Sequence, residues 1–216
     1  EMLRSLVGSE MCIRDRYMIK VKGGKYKPSF EDMEKIVFDI EVSKYLVTKK
    51  MWLDVMGTIS SEAKGDNEPA ENITWWKALE FCNKISEKYS LEPVYDLSKS
   101  KQGVLTIKEL KGKTVNPKMA NFKNTEGFRL PTEAEWEWFA RGGQKAIDEG
   151  TFDYKYSGSN NIDEVAWYIE NSNHLIQDVG LKKPNQLGLF DCSGNIWEWC
   201  YDTEEMENIK FLNFNY

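Results

Sequence analysis

Residues 185–202, NQLGLFDCSGNIWEWCYD, constrain this chain more than any other stretch. Gly188 and Gly194, Trp197 and Trp199, and the acids Asp191 and Glu198 all fall within it. That mixture suits a fixed corner with an oxygen-lined pocket better than an ordinary helix or strand. Asp191 and Glu198 flank a Gly194–Asn195 turn, and glycine permits the dihedrals that aim carbonyls inward. Hard cations such as calcium take about six to eight oxygens from carboxylates and backbone carbonyls. The plainer alternative is that Asp191 satisfies turn amides and Glu198 pairs with a basic residue. Both readings stand at this point.

The helices announce themselves by their caps. Thr48 reads as an N-cap, with Val47 and Trp52 placed as a staple, for a short helix reaching Met56 and stopping at Gly57. Thr74 caps a second helix in which Trp75, Ala78, Leu79, Cys82 and Ile85 recur at helical spacing as a core stripe. The same threonine completes the sequon Asn72-Ile73-Thr74, which its capping role explains. Thr132 and Glu135 form a capping box opening a third helix, expected to end at Gly142-Gly143. Glu133, Glu135 and Glu137 look like an acid cluster, but neighbours two apart on a helix do not face each other. Capping, and pairing with Arg129 and Arg141, is the expected use of these acids.

Strands are expected on either side of a Gly23–Gly24 turn, and one strand over residues 36–45. A polar, lysine-rich stretch over 91–124 holds two more candidates, at 93–97 and 104–107. Short helices among short strands and long loops give the α+β class rather than a parallel α/β sheet.

Composition removes several functions. The chain carries a formal charge of −6 without basic clusters, which argues against nucleic acid as a partner. His174 is the single histidine and lies in the polar loop 170–177, which argues against a histidine-based triad and a multi-histidine zinc site within this sequence. No phosphate-binding glycine loop is present. Leu6 to Arg16, LVGSEMCIRDR, reads as a translated sequencing adapter, so residues 1–16 are set aside as a non-native leader and 17–216 as one domain. That leader holds no apolar stretch long enough for a signal peptide or a membrane span. Without Cys12, the cysteines are Cys82, Cys192 and Cys200, too few for a disulfide framework, although a Cys192–Cys200 bridge is possible. The end at Tyr216 is read as a C-terminal truncation.

Five segments occur in order: VKGGKY, EVSKYLVTKKMW, NITWWKALEFCNKIS, GFRLPTEAEWEWFARGG and NQLGLFDCSGNIWEW. Together they resemble the sulfatase-modifying-factor family, which includes the formylglycine-generating enzymes. The resemblance implies a decorated variant of the C-type lectin fold, with 91–124 similar to a hairpin insertion of bacterial members. It also implies a structural calcium site formed by the side chains of Asp191 and Glu198 and the carbonyls of Gly194 and Ile196. The family's oxidase chemistry uses copper on two cysteines five positions apart, downstream of the GNxWEW turn. Nothing after Asp202 matches that pair, and Cys192 and Cys200 lie in another segment at another spacing. No catalytic residue is therefore assigned. The reading is a non-catalytic binding or accessory module for a protein or peptide. The alternative is a fragment of a copper-dependent oxidase that converts a sulfatase cysteine to formylglycine.

Overall fold

The computed structural model describes residues 17–59, 65–108, 114–115 and 122–202. The expectations about the leader and the last residues lie outside them. Four short strands open the fold: β1 Met18–Val21, β2 Gly24–Tyr26, β3 Lys35–Val37 and β4 Ile40–Ser43. The Gly23–Gly24 step separates two strands as expected, but they do not pair with each other. β1 pairs antiparallel with β4, placing Ile19 opposite Val42, and β2 pairs with β3, placing Lys25 opposite Ile36. One register runs through both ladders, so this is a long hairpin whose ladder lapses midway.

The single strand expected over 36–45 is thus two, broken at Phe38–Asp39, and the lapse has a local cause. The Lys22 carbonyl is taken by the indole N–H of Trp138 at 3.0 Å, and the Gly23 N–H by the Asp39 carboxylate at 2.8 Å. Side chains thus satisfy both backbone groups outside the ladder. Gly24 lets the hairpin lie directly on that indole, since a Cβ there would sit 2.5 Å from the Trp138 ring.

The helices follow their caps. Helix α1 spans Lys49–Met56, with the Thr48 hydroxyl accepting from the Met51 N–H and Gly57 in the left-handed conformation. Helix α2, Trp75–Lys88, is capped by Thr74 and buries Trp75, Ala78, Leu79 and Cys82 of the expected stripe, while Ile85 is only half-buried. Ser86 is buried on the same helix; its hydroxyl donates to the Cys82 carbonyl and accepts from the Phe128 N–H. Helix α3, Glu133–Ala140, has the complete Thr132–Glu135 capping box. It does not end the helical region: Gly142, at φ 90°, turns the chain directly into α4, Gly143–Asp148. A final short helix, α5, covers Ile162–Val165.

Between α2 and α3 lies an antiparallel sheet of β5 Tyr95–Asp96, β6 Thr106–Lys108 and β7 Thr114–Val115. The first is the strand expected over 93–97, shortened; the second overlaps the one expected over 104–107 but is shifted to end at Lys108; β7 was not foreseen. One core cluster joins α2 to this sheet through Leu79, Tyr95, Ile107 and Phe122, and includes Tyr201. A second surrounds Trp138, which is fully buried among Val21, Tyr26, Val37 and Leu189. The fold is α+β, as expected. Among the described residues no helix is long and apolar enough to cross a membrane.

Candidate functional site

Beyond α5 the chain runs to Asp202 through turns, without a further strand or α-helix. Three residues of the 191–198 turn adopt positive φ: Asp191 at 57°, Gly194 at 84° and Asn195 at 64°. Asp and Asn tolerate this region because their short polar side chains bond locally, and glycine has no Cβ to clash. Three upstream points pin the turn. The Asn195 N–H donates to the Trp167 carbonyl at 2.8 Å. Its side-chain amide accepts from the Gln177 N–H at 3.1 Å and donates to the Gln177 carbonyl at 3.0 Å. Asp191 Oδ2 accepts the Gly180 N–H at 2.7 Å. A Cβ on Gly194 would run into the Trp167 carbonyl, so only glycine fits there.

Asn185, buried, secures the approach to the turn. Its amide nitrogen donates to the carbonyls of Phe139 and Ala140 and to the Ser157 hydroxyl. Its amide oxygen accepts from the N–H groups of Leu187 and Leu189. One side chain thereby joins the end of α3 to the loop before the turn.

Asp191 is 3% exposed, and burial raises its pKa, opposed by the Gly180 N–H. Glu198 is exposed as a residue, yet burial around its carboxyl group pushes its pKa up to about 7. The Trp136 indole offsets part of that rise, and the negative charge of Asp191 adds to it. Neither acid has a lysine or arginine partner in the ion pairs among the described residues. The plainer alternative therefore holds for Asp191, which does satisfy a turn amide, while the basic partner it supposed for Glu198 is not found there. Gly180 occupies one Asp191 oxygen and leaves the other. No group of three or more His, Cys, Asp or Glu arranged to hold a metal occurs among the described residues. An ion here would therefore rely on two carboxylates, backbone carbonyls and water. An oxygen-only donor set fits a hard cation and not a thiophilic one.

The thiols point elsewhere. No disulfide joins Cys82, Cys192 and Cys200 among the described residues, so the Cys192–Cys200 bridge does not form. Burial raises the Cys82 thiol to about 12 and pushes Cys192 and Cys200 up further, with nearby acids adding to the latter two. In the neutral form these thiols are weak nucleophiles, since the thiolate is the reactive form.

The three glutamates of α3 do not meet. Glu135 forms a bidentate pair with Arg129 at 2.6 and 2.8 Å. Glu137 pairs with Arg141 at 3.0 Å and accepts from Ser29, and the Glu133 N–H is taken by Asp202 at 2.8 Å. His174 is exposed, at φ 57° in a polar turn. At the outer face of the 191–199 segment, Trp197 is 86% exposed, and Trp199, 39% exposed, donates to the Ile73 carbonyl at 2.7 Å. Sequence reasoning gave no role to Asn185, Gln177 or Gly180. An Asn three residues before a glycine is a turn signal for the first; nothing local marks the other two.

The model of the sulfatase-modifying factor enzyme 1-like domain matches residues 14–211. The chain is similar to a protein named chaperone protein LppX from Paenibacillus barcinonensis. They are 39% identical over 207 residues, covering 86% of this chain and 71% of that protein. It is also similar to the formylglycine-generating enzyme of Thermomonospora curvata, at 34% identity over 94 residues. That match covers 35% of this chain and 27% of the enzyme. Among solved structures, CarF superposes with a TM-score of 0.66 at 26% identity, covering 85% of this chain and 78% of CarF. The chain therefore belongs to the sulfatase-modifying factor enzyme 1-like family.

Proposed function

We propose that this chain is a binding and accessory module of its family, presenting the 191–199 turn to a protein or peptide partner. The observation that carries this reading is Trp197: a large aromatic, 86% exposed, on a backbone braced by Trp167, Gln177 and Gly180. Exposed aromatics on preorganised backbone are the usual anchors of interfaces, because little ordering cost is left at binding. Similarity to a relative named as a chaperone supports the reading. The test is a peptide array followed by titration of bound peptides against the chain. Trp197→Ala should weaken binding about tenfold while leaving the melting midpoint in place, and unchanged affinity would refute the reading.

A calcium ion is proposed for the turn, held by the Asp191 and Glu198 side chains with the carbonyls of Gly194 and Ile196. The support is the buried Asp191 and the exposed Glu198 on one turn, neither in an ion pair among the described residues, with backbone carbonyls beside them. When bound, the cation would neutralise the two acids; the chain's own residues hold and orient the turn.

The second reading, a fragment of a copper-dependent oxidase acting on a sulfatase cysteine, is favoured by the similarity to the Thermomonospora curvata enzyme. Incubation with copper, oxygen and a cysteine-containing sulfatase peptide separates the two. Formylglycine in the recovered peptide by mass spectrometry would favour the oxidase.

A further inference from the structure

We infer that the partner docking on the 191–199 turn is a cationic, apolar segment, one that brings aliphatic or aromatic side chains together with arginine or lysine. This rests on the partner reading proposed for Trp197 and names the partner's chemistry. Trp197 is not alone on its braced backbone. Ile169, Leu175 and Leu181 are each more than half exposed. All three lie within two residues of a group fastened to the turn. Ile169 follows Trp167, whose carbonyl takes the Asn195 N–H, and Leu175 precedes Gln177, which pairs with the Asn195 amide. Leu181 follows Gly180, whose N–H is held by Asp191. The Gln177 side chain also donates to the Leu175 carbonyl at 3.2 Å, tying that backbone as well. Four large apolar side chains offered to water by one set of joined turns mark an interaction surface rather than ordinary scatter.

The charges choose the partner. Glu170 follows Ile169, Asp178 follows Gln177 and Glu198 follows Trp197. None of these acids is in an ion pair among the described residues. The two lysines of the stretch 167–183 are already engaged. Lys182 donates to the Asp163 carbonyl at 2.7 Å and lies over the Trp167 ring at 4.0 Å, and Lys183 pairs with Glu164 at 3.2 Å. His174 is the other base there. The apolar surface is thus set in negative charge. It stays so with a cation at the turn, because Glu170 and Asp178 are not among that ion's proposed ligands. Such a surface repels an acidic partner or an anionic lipid surface, and the face of an exposed tryptophan attracts Lys and Arg. A neutral apolar partner would gain the burial but none of the pairing.

The experiment is fluorescence-anisotropy titration of the full chain with three matched peptide sets, at about pH 8, above the ordinary imidazole range. All carry Leu and Phe at the same positions, and the remaining positions are Arg, Gln or Glu. The Arg set should bind about tenfold tighter than the Gln set, with the Glu set weakest, and the gap should shrink severalfold at high salt, where exposed charges are screened. Glu170→Gln combined with Asp178→Asn should leave the melting midpoint in place and cut the Arg preference severalfold. Trp197→Ala should weaken the Arg set about tenfold. The proposal is overturned if the Gln or Glu set matches the Arg set, or if the double variant keeps the whole preference. It is also overturned if Arg-set binding survives Trp197→Ala, which would mark general attraction to a chain of charge −6. Equal binding by all sets that still depends on Trp197 sinks the charge selection alone. No binding by any set, or binding indifferent to Trp197, sinks the partner reading with it.

Discussion

Gly188 and Gly194 form a matched pair that isolates the docking of the turn. Both have left-handed dihedrals, φ 87° and 84°, so alanine incurs the same backbone penalty at each. Around Gly188 nothing lies within 4 Å of an added Cβ, whereas at Gly194 the Cβ meets the Trp167 carbonyl. Gly188→Ala should therefore cost only the dihedral term, about 1 kcal/mol. Gly194→Ala adds the forced retreat of the turn from Trp167, which loses the Asn195 N–H bond and strands its acceptor. The sum is about 3 kcal/mol. For a domain of this size each kcal/mol moves the midpoint by about 2–4 °C. Thermal melts followed by near-ultraviolet circular dichroism should show a fall of about 3 °C for the first variant and about 9 °C for the second. Equal shifts would mean that the turn does not lie against Trp167, and the bracing argument for Trp197 would fall with it.

Glu135→Gln should cost about 3 kcal/mol by stranding Arg129, and adding Arg129→Met should recover part of it, read by denaturant unfolding. Burial pushes the Glu135 pKa up, but the bonds from Arg129 and Thr132 outweigh this and hold it below its ordinary value. Its stabilisation is thus present above the unfolded carboxylate range and lost as pH falls through the depressed value, so Glu135→Gln should flatten the acid limb of the stability curve. Calcium at about a hundredfold excess over its dissociation constant should stabilise the chain by about 2.7 kcal/mol. Asp191→Asn should abolish that gain, and protons compete at Glu198, so the gain should grow as pH rises through about 7. An unchanged midpoint with calcium and with chelator rejects the site. Finally, Cys82 and Cys200 should resist iodoacetamide in the native chain and react fully in denaturant, as scored by peptide mapping; native modification of either would contradict their burial.

The elements read most directly from sequence were those written by local chemistry. Thr48, Thr74 and Thr132 each cap a helix within three residues of themselves, so their helices begin where the letters say. The hairpin was only half legible, because its lapse depends on Trp138, 116 residues from the Lys22 carbonyl it captures. The same holds at the turn. The positions of Asp191 and Glu198 could be read from spacing, but Gln177, Gly180 and Trp136 are brought there by the fold. Helix α4 was missed because a Gly-Gly pair signals an ending, and here it reverses the chain into a new helix.

The Trp75 indole sits in the first core cluster and donates to the Cys200 carbonyl at 3.1 Å across 125 residues of chain. During vectorial synthesis, at roughly 5–20 residues per second, that acceptor leaves the ribosome on the order of ten seconds after α2. Throughout that interval the helix must exist without Tyr201 packed against it and without a buried partner for its indole. The two core clusters thus mature at different times: the Trp138 cluster is complete once Leu189 has emerged, and the α2 cluster waits for the chain beyond Trp199. Ribosome-stalled chains ending before Cys200 should accordingly expose α2 to protease while the hairpin over 18–43 is already protected.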